Sequence, residues 1–154
     1  VDQLQQRMGK GISEIQSTFG VDLYSNDADL IIREADVLSI HLPATPETAN
    51  FVNARRLALM KRDALLINTA RGAVLDEDAL YDALTAGELG GAALDVYQHE
   101  PYRPLSPQRD LRDLPNVVLT PHVGAMTIES QQEIGVRVVQ IVEEHVASMM
   151  TQPA

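Results

Sequence analysis

The sequence predicts an α/β fold, a doubly wound parallel sheet with flanking helices. Two observations carry that prediction. Short apolar runs alternate with longer stretches of helical periodicity, and turn residues separate them. The strands read at 64–68 and 91–96 are also continuous apolar runs apart from Asn68 and Asp95, rather than alternating, as expected of strands buried in a parallel sheet. The length of 154 residues suits one domain with a sizeable core.

In chain order, residues 21–24 read as a short strand entered through Gly20. Residues 27–35 read as a helix with Leu30, Ile31 and Ala35 on one face. A strand at 37–41 is stopped by Pro43. Asn53 is placed to cap a helix over 54–60, and 64–68 is the next strand. Asp76 should cap the following helix, with Glu77 and Asp78 in its first turn, Ala79, Leu80, Ala83 and Leu84 inward, and Gly87 just past its end. A strand at 91–96 leads into a connection over 98–115 that holds four of the eight prolines, and a loop of that length tends to be functional. Residues 116–120 form the last strand. A long helix over 127–149 follows, with Ser130 and Glu133 readable as a capping box and Ile134, Val138, Ile141 and Val142 as one apolar stripe.

Composition narrows the function. Twelve basic against twenty-two acidic residues give a net charge of −10, which argues against nucleic acid or an anionic membrane as partner. The absence of cysteine excludes disulfides, thiolate metal sites and cysteine nucleophiles. No apolar run approaches a membrane-spanning length, and residues 1–7 show no signal-peptide core, so a cytoplasmic protein is expected.

In open parallel sheets ligands sit beyond the carboxyl ends of the strands. The polar residues there are His41, Asn68 to Arg71, Asp95, and Thr120 to His122. Arg71, just past a buried strand, offers a planar fork for a carboxylate. Glu100 and His122 would form a general acid–base unit if the fold brought them together, because a carboxylate fixes an imidazole's tautomer and favours its protonated form. Taken singly, each is more often a structural or solvated residue. His41 and His99 read as edge or loop residues, and charge–dipole compensation accounts for His145 near a helix end. No histidine pair has a metal-ligand spacing, so no metal site is expected. Gly9-Lys10-Gly11 lacks the preceding strand and third glycine of a phosphate loop.

Four stretches, Ala35 to Pro43, Leu66 to Asp76, Gly91 to Val96 leading to Glu100-Pro101, and Asn116 to Ala125, resemble in order the nucleotide-binding domain of the D-isomer-specific 2-hydroxyacid dehydrogenases. The resemblance covers about 130 residues. It implies a Rossmann-like fold, NAD as cofactor, and interconversion of a small 2-oxo acid with a D-2-hydroxy acid. It also implies roles: Arg71 binds the substrate carboxylate, His122 exchanges a proton with the substrate oxygen, and Glu100 holds His122 and raises its pKa. Asp95 would bond the nicotinamide carboxamide. Leu42, Thr69, Ala70 and Gly124, with Arg71 and His122, would line the cofactor, and Asp2 would bind the adenosine ribose.

The chain also departs from the family pattern. The first strands and the Gly-rich turn that hold the pyrophosphate are missing, and so is the substrate domain. Residues 1–154 are therefore expected to be a truncated NAD-binding domain: lead-in at 1–20, strand–helix units at 21–125, and a long helix at 126–150. Alone it should bind NAD weakly or not at all and turn over little. The full-length protein is expected to be a homodimer. The resemblance leaves two other readings open: a non-catalytic NAD-responsive scaffold like the family's corepressors, or a non-functional fragment.

Overall fold

The computed structural model describes residues 17, 18, 20–124 and 126–150, with side chains of the last four not included. Four strands, β1 (Val37–Ile40), β2 (Leu65–Asn68), β3 (Gly91–Leu94) and β4 (Val117–Leu119), form one sheet in sequence order. Every neighbouring pair is parallel. The helices are α1 (Ala28–Glu34), α2 (Ala54–Leu57), α3 (Glu77–Thr85) and α4 (Ile128–Met150), with short 3-10 turns at Gly72–Val74 and Leu111–Asp113. The doubly wound α/β class is as the alternation predicts.

Caps set the helix starts. Asp27 accepts the N–H groups of Asp29 and Leu30, Asn53 that of Arg56, and Asp76 that of Ala79. Gly87, at φ +66, follows the α3 C-cap in the left-handed conformation that glycine adopts without a Cβ penalty. The core lies on one face of the sheet, where Ile40, Leu66, Ala92 and Leu94 meet Leu80, Ala83 and Leu84 of α3.

Several expectations are corrected. Residues 21–24 form no strand; the segment is irregular and Leu23 is exposed, because no strand among the described residues lies beside it to complete a ladder. The α2 helix ends at Leu57 rather than at residue 60, in a turn closed by the Leu59 and Met60 N–H groups. The run 64–68 is not buried throughout. Leu65 is exposed, as are Val37 and Val118, because successive side chains alternate between faces and that second face is open among the described residues. Ser130 and Glu133 form no capping box: α4 starts three residues earlier than that would allow, and the Thr127 hydroxyl accepts the Ser130 N–H. The apolar stripe on α4, whose covering the sequence left open, is exposed.

Candidate active site

The register determines which residues meet. Ile40 pairs with Asn68, Asn68 with Leu94, and Leu94 with Leu119. The four strands thus end in line, and the connections that leave them carry Leu42, Thr69 to Arg71, Asp95 to Glu100, and Thr120 to Gly124 along one edge.

The first of the site-bearing connections is fixed by Asn68. Although wholly buried at the end of an apolar strand, it is bonded at both side-chain atoms: its amide donates to the Arg71 carbonyl at 3.0 Å and its Oδ1 accepts the Ala70 N–H at 3.1 Å. Arg71 follows in extended conformation, exposed, with one guanidinium nitrogen donating to the Ala70 carbonyl at 2.6 Å. Gly72 packs directly on the next connection. A Cβ there would lie 1.8 Å from the Tyr97 carbonyl oxygen, so only glycine lets the two backbones approach this closely.

The second connection carries Glu100. Its Oε1 accepts the Tyr97 N–H at 3.2 Å, and its Oε2 lies 2.7 Å from Nδ1 of His122. The hydrogen bond to His122 is the largest cause holding the Glu100 carboxyl below its usual range, and the more distant charge of Arg71 acts in the same direction. Glu100 is therefore an acceptor, so the His122 ring must donate from Nδ1, which leaves Nε2 as its other functional atom. The Glu100–Pro101 peptide is cis.

The third connection holds His122 at φ +55, a left-handed conformation uncommon outside glycine. Asp95 keeps it there. Its Oδ1 accepts the Thr120 hydroxyl at 2.5 Å and the Val123 N–H at 3.2 Å, while its Oδ2 accepts the Gly124 N–H at 3.4 Å. These bonds, the Thr120 hydroxyl first, hold its carboxyl below the usual range. The Tyr97 hydroxyl adds a bond to the Thr120 carbonyl at 2.6 Å. The imidazole opens on a hollow of about 430 Å³ whose walls include Tyr97, Tyr102, Arg112 and Pro121.

The fold thus brings Arg71, Glu100, Asp95 and His122 to one edge, with Leu42, Thr69, Ala70 and Gly124 on the same row of strand ends. It leaves His41 at the far strand, bonded to Ser39 at 2.9 Å, while Asp2 and the Gly9-Lys10-Gly11 stretch lie outside the described residues. The row fits the amide end of a dinucleotide. Gly124 presents backbone without a side chain, and among the described residues Asp95 Oδ2 accepts one long bond, which leaves lone-pair capacity for an amide donor. Among the described residues no cluster of three or more histidine or acidic side chains could hold a metal, and no helix is long and apolar enough to cross a membrane.

Sequence reasoning named the pair and the arginine but missed their supports. Asn68 was visible as a polar residue closing an apolar strand. The inward turn of Glu77 had no signal, since a first-turn acid ordinarily serves the helix dipole from solvent.

Comparison with known proteins agrees with this geometry. A family model described as D-isomer specific 2-hydroxyacid dehydrogenase, NAD binding domain, matches residues 9–124. A D-3-phosphoglycerate dehydrogenase of Synechocystis sp. is 48% identical over 118 residues, covering 77% of this chain and 21% of that protein. A glycerate dehydrogenase of Methylorubrum extorquens is 39% identical over 149 residues, covering 91% and 47%. Among solved structures, a D-isomer specific 2-hydroxyacid dehydrogenase, NAD-binding, from Polaromonas sp. superposes with a TM-score of 0.74 at 33% identity, covering 82% of this chain and 38% of that one. The chain spans less than half the length of each of these relatives.

Proposed function

This chain belongs to the D-isomer specific 2-hydroxyacid dehydrogenase family, within its NAD-binding domain, and on that premise we propose that it supplies the acid–base and carboxylate-binding groups for reversible reduction of a small 2-oxo acid to a D-2-hydroxy acid. The observation that carries the proposal is the 2.7 Å contact between Glu100 and His122, twenty-two residues apart, formed where Arg71 leaves the neighbouring strand.

In this reading the Arg71 guanidinium receives the substrate carboxylate through paired N–H donors and turns the keto oxygen towards His122. With Nδ1 donating to Glu100, the protonated ring gives its Nε2 proton to that oxygen during reduction and takes it back during oxidation. Glu100 stays ionised throughout and stabilises the imidazolium. NAD is the cofactor, and when bound it supplies or accepts the hydride at the substrate carbon. Leu42, Thr69, Ala70 and Gly124 line it with backbone, and Asp95 offers Oδ2 to its carboxamide. Asp2 is proposed for the ribose hydroxyls. Residues 1–154 serve as part of an NAD-binding domain, with the substrate's side chain read by residues of another domain. The partner is a small 2-oxo or 2-hydroxy acid, the assembly a homodimer and the compartment the cytoplasm.

The test is NADH oxidation with glyoxylate, hydroxypyruvate and pyruvate by the full-length protein that carries this domain, with NAD affinity measured by titration calorimetry on that protein and on residues 1–154, which alone should bind weakly and turn over little. Turnover that falls about 10²–10⁴-fold in His122→Asn supports the assignment. Undiminished turnover in that variant refutes it.

A further inference from the structure

Glu77 is a buried acid with no task in the mechanism above. It is 3% exposed, and burial pushes its carboxyl upward from the usual range. Helix α3 does not need it there. Asp76 caps the helix on the Ala79 N–H, and exposed Asp78 already faces the dipole from the first turn. A carboxylate kept out of water under these conditions needs a compensating partner. The partner is the backbone N–H of Gln98, which donates to Glu77 Oε1 at 2.6 Å.

That N–H belongs to the turn that carries Glu100. The side-chain amide of Gln98 donates to the Leu75 carbonyl at 2.8 Å, just ahead of α3, and lies 3.4 Å from Asn50 Oδ1 in the connection before α2, so the turn is fastened to both segments. Inside the turn the Tyr97 N–H folds Glu100 back, and Glu100 then reaches His122. Around Glu77, the charges of His99 and Asp78 act on its carboxyl in opposite directions, and its own charge reaches the hydroxyls of Tyr97 and Tyr102.

We infer that Glu77 is a positioning residue. By holding the Gln98 N–H it fixes the turn from Tyr97 to Glu100, and so determines which nitrogen of the His122 ring carries the proton. The inference deepens the functional reading and rests on the Glu100–His122 pair proposed there.

The experiment reads the ring directly. The whole chain is labelled with 15N-histidine, the His122 signals are identified by their loss in His122→Asn, and the share of the neutral Nδ1–H tautomer is measured. Glu100→Ala defines the ring without its partner. Glu77→Met, similar in size but without an oxygen, should move the tautomer share at least halfway from the wild-type value towards that of Glu100→Ala. Glu77→Gln, whose amide oxygen can accept the same N–H, should restore the wild-type share. Leu80→Ala, a core change on the same helix, should lower stability and leave the ring unchanged.

A wild-type ring in folded Glu77→Met overturns the inference, as does a Leu80→Ala effect of equal size. If Glu77→Met does not fold, Glu77→Asp takes its place: one methylene short of the N–H, it should give an intermediate share, and a wild-type share would overturn the inference. If Glu100→Ala itself leaves the ring unaltered, the pair is not formed, and both the functional reading and this inference fall. A changed ring in Glu100→Ala with an unchanged one in Glu77→Met removes the inference alone.

Discussion

The groups at the sheet's carboxyl edge stand on unequal supports. Arg71 and Glu100 leave β2 and the loop after β3, beside α3, where Leu66, Leu75, Leu80 and Leu94 are at most 2% exposed. His122 leaves β4, whose Val118 is exposed, and the helix that follows keeps its apolar stripe in the open. Both halves carry the same kind of sequence signal, an amphipathic helix after an apolar strand. In the first half packing orders the loops from below. In the second, polar bonds reaching across from the first half do it: Asp95 on the Thr120 hydroxyl and on the Val123 and Gly124 N–H groups, Glu100 on the imidazole, and Tyr97 on the Thr120 carbonyl. A site residue can therefore be well placed without a well-packed element beneath it.

Four changes would break or sharpen that contrast. Leu80→Ala should have the largest effect, a loss of about 2–5 kcal/mol in urea unfolding, since the side chain is fully buried and its cavity cannot be filled from solvent. Asp95→Ala should cost less, about 1–3 kcal/mol, because it leaves donors without their acceptor. Its damage should be confined to the second half, read as faster amide exchange at Val123 and Gly124 with the α3 amides unchanged. Ile141→Ala should change stability by no more than about 0.5 kcal/mol, as for an exposed position. A loss near that of Leu80→Ala would mean that α4 is packed as firmly as α3.

The smallest effect concerns pH. Asp29 is held at about 2 by hydrogen bonds from Arg55 and then Arg56, against an ordinary value of 3.8. A carboxyl with a depressed folded-state pKa adds stability that is fully present above the unfolded value and lost as pH falls through the folded one. The tie between α1 and α2 should therefore weaken between about pH 4 and pH 2. It should show in chemical shifts of the Arg55 and Arg56 side chains, while Asp29→Asn should remove that dependence.

The alternation of strands and helices was legible because periodicity reports which residues share a face. What covers a face is a different kind of information, and that is why the 134, 138, 141 and 142 stripe was legible as apolar on α4 while its exposure was not. The same limit explains Leu65, whose apolar neighbours hide the two-residue alternation that exposes it. Arg71, Glu100 and His122 could be nominated because each sits in a short motif at a strand end. The left-handed backbone at His122 and the inward turn of Glu77 arise from contacts with residues twenty or more positions away, which no local pattern encodes.

The in-line ending of the four strands also separates two routes of change. Connections at the amino end of the sheet, residues 58–64 and 86–90, bear none of the proposed site residues; those at the carboxyl end bear nearly all of them. Insertions or drift in the first set would be felt as melting temperature, and in the second, on the function proposed above, as altered substrate choice or turnover. Robustness and chemistry can thus be inherited, or engineered, almost independently within one short chain.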